Sequence, residues 1–373
     1  MRVQRVLMPG GAAESWTLLG DDCRPVEPVE RFLAYLASIE RSPNTVKAYA
    51  HDLKDWFTYL GRHGLDWRSV VLEDVAGFVA WLRLPPAGRD GWVTVLPTVE
   101  HHCTTSSVNR KLAALTSFCE FHARHGVRLA GLLVTLAPAG GRGRSSARSY
   151  KPLLHHISKG SPQRARTVKL KAPRRRPGVL TAGQAQAILD ACVHLRDRLL
   201  FALLLDCGVR VGEALGLRHE DVAIAERQVA VVPRHNDNGA RAKAGVSRTI
   251  PASGELMRLY ADYLCREYGA VDSDYVFVNL WADPIGRPLK YQAVYDLVGR
   301  LRGRTGIAFS PHLFRHTYAT WLLRKGAGVE SVKELLGHAS ITTTVDTYGH
   351  LTVEDARRTL EAAGWFTGRE VRL

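Results

Sequence analysis

Between residues 139 and 177 the chain contains no aspartate and no glutamate. The same stretch holds Arg142, Arg144, Arg148, Lys151, Lys159, Arg164, Arg166, Lys169, Lys171, Arg174, Arg175 and Arg176. Gly, Ser and Pro fill much of the rest, so it cannot build a packed core and reads as an interdomain linker. Other absences narrow the chemistry. None of the six cysteines, Cys23, Cys103, Cys119, Cys192, Cys207 and Cys265, forms a CxxC pair. That excludes the common zinc and thiol-redox spacings and predicts buried thiols of a reducing compartment. The longest apolar run, near 199–205, is far too short to span a bilayer, and the N-terminus lacks an apolar signal core. A soluble cytoplasmic protein with no membrane partner is expected. No GxxxxGK[ST] loop is present to cradle a nucleoside triphosphate. Nor are carboxylates clustered as a two-metal nuclease needs. No cofactor and no metal are predicted.

What the chain has is positive charge. Lys and Arg total 51 against 36 Asp and Glu, a net +15. Each cation placed near a phosphate releases a condensed counterion, so this balance points to a nucleic-acid binder over a merely solvated basic surface. At 373 residues, 46% of them apolar, the chain suits two domains with separate cores.

Residues 1–26 show no sustained period and read as a flexible arm. Residues 27–128 read as an all-helical domain. Val29, Phe32, Leu33, Leu36 and Ile39 share one helical face. After a break at Ser42-Pro43, Asn44 or Thr45 opens a second helix with Tyr49, Leu53, Trp56, Phe57 and Leu60 inward. A third helix is predicted over 73–84 and a loop over 85–105. Ser106 or Ser107 then caps a fourth helix. Arg41, Lys47, Arg110, Lys111 and Arg124 give this domain a basic tint. The linker spans 129–179. A second, mostly helical domain spans 180–350, opened by the Thr181–Gln184 capping box. Its helices are predicted over 182–194, 196–206, 212–217, 253–268, 291–303, 311–325 and 329–336. Short strands at 228–232 and 247–250 flank turn chemistry at Asn236, Asn238 and Gly239. Residues 351–373 form a terminal helix and tail, capped at Thr352 with Asp355. The fold class is therefore mainly α with a small antiparallel sheet.

Four motifs carry the chemistry. In Cys207-Gly208-Val209-Arg210-Val211-Gly212-Glu213 a tight turn presents Arg210, suited to bidentate phosphate contact, although a structural turn arginine fits equally. Lys243 lies in a hairpin between the two strands, where a lysine is ordinarily just solvated. In Pro311-His312-Leu313-Phe314-Arg315-His316, His312 and Arg315 are three apart on a helix and share a face. A proton-sharing group beside a fixed cation is what a phosphoryl oxyanion needs. In Leu335-Leu336-Gly337-His338-Ala339-Ser340, His338 follows a helix end, and Tyr348 comes ten residues later. His219, His316 and His350 read as structural or rim residues. His101-His102 and His155-His156 have no metal-like spacing.

Taken in this order, these motifs resemble the tyrosine recombinase (phage integrase) family over about 178–360. The helical first half is similar to the family's SAM-like core-binding domain, through Ser42-Pro43-Asn44-Thr45-Val46-Lys47-Ala48-Tyr49 and Ser107-Val108-Asn109-Arg110-Lys111-Leu112. The resemblance implies a site-specific DNA recombinase. It casts Tyr348 as the nucleophile of a 3′-phosphotyrosine intermediate, and Arg210 and Arg315 as clamps on the scissile phosphate. His312 and His338 would bond the phosphate and move protons, and Lys243 would protonate the departing 5′ oxygen. Lysine placement in that hairpin varies within the family, so Arg241 and Arg248 stand as the alternatives to Lys243. Glu213 would steady the Arg210 region. Lys47, Arg110, Lys111, Arg174, Arg175 and Arg176 are the DNA-binding candidates. The implied partners are double-stranded recombination sites and further copies of the chain, in a tetramer built through the terminal helix. The implied task is integration, excision or transposition of a mobile element. Resolution of replicon dimers is the alternative. A monomeric type IB topoisomerase or a non-catalytic DNA-binding derivative fits less well, because the tail after Tyr348 and the full set of catalytic types are both present. The 26 residues before the first helix are too few for a separate arm-binding domain.

Overall fold

A computed structural model describes residues 1–7, 14–85, 88–89, 101–129, 133–137, 163–171, 178–242 and 246–337. The chain divides into two units, Met1–Arg174 and Arg175–Leu373.

In the first unit the amphipathic segments form α1 (Glu27–Ser38), α2 (Pro43–His63), α3 (Leu72–Arg83) and α4 (Thr105–Arg124). The break at Ser42-Pro43 is itself the start of α2. Ser42 Oγ accepts from the Thr45 N–H at 3.3 Å, and Pro43 takes the first helical position, where its missing N–H costs nothing. Thr104, and not Ser106 or Ser107, caps α4 by accepting from the Ser107 N–H at 3.2 Å. Phe32, Leu53, Trp56, Phe78, Leu112 and Phe118 are fully buried between the helices. Phe118 meets Phe32, Phe57 and Trp67 edge-on, at centroid separations of 5.7, 5.8 and 5.5 Å.

Two expectations change. Residues 1–26 are not a flexible arm where described: β1 (Arg2–Leu7) and β2 (Glu14–Leu19) pair antiparallel, with Val3 opposite Leu18. Leu18 is 0% exposed and joins the helical core, which anchors the hairpin. The 129–179 segment also carries structure. β3 (Val134–Ala137) pairs antiparallel with β4 (Gln163–Arg166). Val168 and Leu170 then pack on the helical core. Asn109 on α4 donates to the Leu170 carbonyl and accepts from its N–H, both at 2.9 Å. Its few apolar residues give this basic segment something to bury.

The second unit is built around α6 (Leu195–Asp206), whose Leu199, Leu200, Phe201, Leu203 and Leu204 are all buried. α5 (Ala182–Asp190) starts at the predicted capping box, with Thr181 and Gln184 bonding each other's N–H at 3.2 and 3.0 Å. α7 (Val211–Leu215) leads to a sheet ordered β5 (Val222–Ala223), β6 (Gln228–Val231) and β7 (Arg248–Pro251), all antiparallel. The two-residue β5 is too short to show a period. α8 (Gly254–Tyr263) runs into a π-helical turn, and α9 (Tyr291–Thr305), α10 (Pro311–Arg324) and α11 (Val329–Leu336) follow. Of the cysteines, Cys119 and Cys207 are buried, whereas Cys23 and Cys265 are exposed, contrary to the uniform expectation. Among the described residues no helix is long and apolar enough to cross a membrane.

The hairpin gives a direct test. Leu18→Ala removes a fully buried side chain and should lower stability by about 2–4 kcal/mol in urea unfolding of the full chain. Unchanged stability would mean that residues 1–26 are not part of the core.

Candidate active site

α6 ends against a turn that only glycine fits. Gly208 has φ +60°, and a Cβ there would collide with the Tyr318 ring. The turn aims two groups. The Gly208 carbonyl accepts from Arg315 Nη1 at 2.7 Å, and two residues later Arg210 caps α7. The Arg210 N–H donates to Glu213 Oε2 at 2.8 Å, and its Nη1 donates to Glu213 Oε1 at 2.8 Å.

Glu213 is the hub. Arg248, at the start of β7, donates to the same carboxylate from Nη2 at 2.7 Å and from Nη1 at 3.2 Å. Arg315 Nη1 lies 3.8 Å from Oε2. Burial pushes the Glu213 carboxyl up, but the hydrogen bonds and charges of Arg248 and then Arg210 hold it below the usual glutamate range. One carboxylate among three guanidinium groups leaves the cluster strongly positive, as a phosphate site requires.

The cluster also meets the end of α11. Arg248 Nε donates to the Leu335 carbonyl at 2.9 Å. Arg315 Nη2 donates to the Leu336 carbonyl, which also lies 3.5 Å from Arg210 Nη1. Arg210 Nη2 lies 3.5 Å from the Gly337 carbonyl. These are carbonyls a helix end leaves without internal partners. Arg210 keeps 21% of its side-chain surface accessible, against 11% for Arg248 and 1% for Arg315. Arg210 is therefore the cation an incoming anion reaches most readily.

On α10, His312 lies one turn before Arg315 and is exposed. Its ring meets His316 edge-on at 4.4 Å. Burial, then the neighbouring charges of His312 and Arg315, push His316 down to about 4, so it is neutral near pH 7. Tyr318, also on α10, has its phenol pushed up to about 12, chiefly by burial, which makes it a poor nucleophile.

Of the sequence candidates, the structure thus joins Arg210 and Arg315 through Glu213 and places His312 on the helix of Arg315. Lys243, His338, Tyr348, Arg174, Arg175 and Arg176 lie outside the described residues. In the first unit, Lys47 sits 4.5 Å over the Trp16 ring. Arg110 pairs with Asp52, while Lys111 pairs with Asp52 at 3.2 Å and Asp55 at 2.6 Å. Arg110 stays half-exposed, but Lys111 is largely buried against these carboxylates. His219 bonds Tyr260 Oη at 2.7 Å, a structural role. The tie from Arg248 to Glu213 and α11 was missed. Its one sequence signal is a basic residue at the head of a strand.

Residues 178–355 match the phage integrase family, and residues 29–126 match the phage integrase N-terminal SAM-like domain. Transposase A of transposon Tn554 from Staphylococcus aureus is 37% identical over 359 residues, covering 96% of each chain. The tyrosine recombinase XerC of Methylobacterium sp. is 30% identical over 333 residues, covering 85% of this chain and 87% of that one. The Tn1549 transposon integrase, solved with transposon right end DNA, shares the fold with a TM-score of 0.58 at 17% identity. That match covers 90% of this chain and 98% of the other.

Glu213→Gln removes the charge that three arginines share, and should cost about 3–5 kcal/mol in urea unfolding near pH 7. The wild-type carboxyl is depressed on folding, so its contribution is full above the ordinary glutamate range. It is lost as pH falls through the lowered value. The gap between the two proteins should therefore close in acid; a gap constant with pH would contradict the hub assignment.

Proposed function

The chain belongs to the phage integrase family of tyrosine recombinases, which break and rejoin DNA strands, and from that premise we propose that Tyr348 makes the cut. A phenol has a pKa of about 10, so it attacks at neutral pH only where developing charge is stabilised. The Tyr348 oxygen bonds to the scissile phosphorus as its proton passes to the His312–His338 pair. The bond to the 5′ oxygen breaks, and Lys243 gives that oxygen a proton. A 3′-phosphotyrosine and a free 5′-hydroxyl result. Attack by a 5′-hydroxyl reverses the step, regenerates the phenol and needs no nucleotide cofactor. Arg210 and Arg315 hold the non-bridging oxygens, while His312 and His338 bond the phosphate and relay protons. The observation that carries this reading is the gathering of Arg210 and Arg315 on one buried carboxylate, from separate helices.

The substrate in this proposal is a pair of double-stranded sites bridged by four copies of the chain. Residues 351–373 supply the contact between copies. Arg174, Arg175 and Arg176 contact the phosphate backbone, with Lys47 and the half-exposed Arg110 on the first unit. Lys111 acts behind them, through Asp52 and Asp55. The biological task is movement of a mobile element. The Tn554 transposase similarity supports that reading over dimer resolution, because it spans 96% of the chain at a higher identity than the XerC match.

On a nicked suicide duplex carrying its site, the wild type should form a covalent adduct and Tyr348→Phe none. An adduct that survives this change would sink the Tyr348 assignment. Arg210→Ala should slow adduct formation by about 100- to 1,000-fold while leaving DNA affinity nearly unchanged. Replacing Arg174, Arg175 and Arg176 together should flatten log affinity against log salt by about 0.9 for each phosphate no longer neutralised. Mass measurement of the synapse should give four protomers on two sites. An unchanged slope would remove the linker arginines from the interface, and two protomers would remove the tetramer.

A further inference from the structure

We propose that Arg248 is a positioning residue: it fixes the C-terminal end of α11, and so the chain leading into His338, against the Arg210–Glu213–Arg315 cluster. The inference rests on the catalytic reading above. It sets aside Arg248 as an alternative to Lys243 for the proton donor.

The geometry uses the guanidinium fully. Two nitrogens, Nη1 and Nη2, grip Glu213, and the third, Nε, reaches the Leu335 carbonyl. A planar fork with a third donor can do this; a lysine ammonium, a point charge, cannot hold all three bonds in one plane. The backbone at Arg248 is equally fixed. It pairs with Val231 in the sheet, and its side chain is largely buried. One rigid strand is thereby tied through one side chain to a helix end and to the carboxylate that orients Arg210.

The helix end is shaped for this contact. Gly337 has φ +61°, and a Cβ there would lie 2.8 Å from Arg248 Nη1 and 3.1 Å from its Cζ. The glycine is needed both for its backbone conformation and for the room it leaves the guanidinium. His338 is the next residue in the chain. An error at this contact passes directly into the segment that the proposed chemistry uses. Arg248 is also ill suited to protonating a leaving group. Arginine does not give up its proton in proteins, and its donors here are held by Glu213 and Leu335.

The test compares two suicide duplexes, one with an ordinary scissile phosphate and one with sulfur replacing the 5′-bridging oxygen. A thiolate leaves without being protonated, so this substrate bypasses the general acid. Arg248→Ala should cleave both duplexes about 100-fold more slowly than wild type. Arg248→Lys should recover only part of that loss. Lys243→Ala should be rescued on the sulfur substrate alone. The pH profile gives a second readout. Without Arg248, Glu213 loses its strongest partner, so the acid-side fall in cleavage should begin at a higher pH than in wild type. Gly337→Ala, which crowds the contact from the other side, should reproduce the slow cleavage on both duplexes. If Arg248→Ala does not fold, Arg248→Lys and Gly337→Ala carry the comparison. Wild-type rates in these variants, rescue of Arg248→Ala by sulfur, or an unmoved acid limb would each overturn the proposal. An adduct formed by Tyr348→Phe would instead overturn the nucleophile, and leave the Arg248 comparison standing.

Discussion

The second unit depends on one shared carboxylate. Arg210, Arg248 and Arg315 come from a helix start, a strand and another helix, and three guanidinium groups this close repel one another. Glu213 makes their assembly stable. A buried carboxylate left alone would be costly, and so would three unpaired cations. Together they satisfy each other and still leave an excess of positive charge. That excess is fixed during folding, so in the proposed reaction the donors are oriented before a phosphate arrives.

The end of α11 adds a second restraint. Its last carbonyls carry the negative end of the helix dipole and accept from the same three arginines. Each guanidinium is thus held from two sides, by a side chain and by backbone. The first unit uses a related device on a smaller scale. Buried Asp52 gathers Arg110 and Lys111, which places one cation outward and one inward. Burial pushes the Asp52 carboxyl up despite both cations, whereas at Glu213 the arginines outweigh burial.

What the sequence revealed follows the range of each interaction. The Thr181–Gln184 cap and the Arg210–Glu213 pairing are local, three residues apart in each case, and both are present, the first expected from the capping pattern and the second from the family resemblance. The start of α4 was misplaced because Thr104, Ser106 and Ser107 are all competent caps, and composition does not choose among them. The β1–β2 hairpin was missed because its polar residues hide the alternation and its burial depends on helices that come later. The ties of Arg248 escape the sequence because its partners, Glu213 and Leu335, are distant along the chain. Lys243, His338 and Tyr348 lie outside the described residues, and their assignment rests on the family resemblance. The roles proposed for them rest on motif order and not on any local pattern.

The reciprocal bonds between Asn109 and Leu170 bear on where the first unit can be cut. Judged by helices alone, it would end near 128, after α4. A fragment stopped there would keep α1 to α4 yet lose Val168 and Leu170 from its core and strip both partners from the Asn109 amide. The functional boundary of the fragment therefore lies past 171. During synthesis the four helices would emerge first and wait, incompletely covered, until the basic segment behind them had left the ribosome and closed over α4.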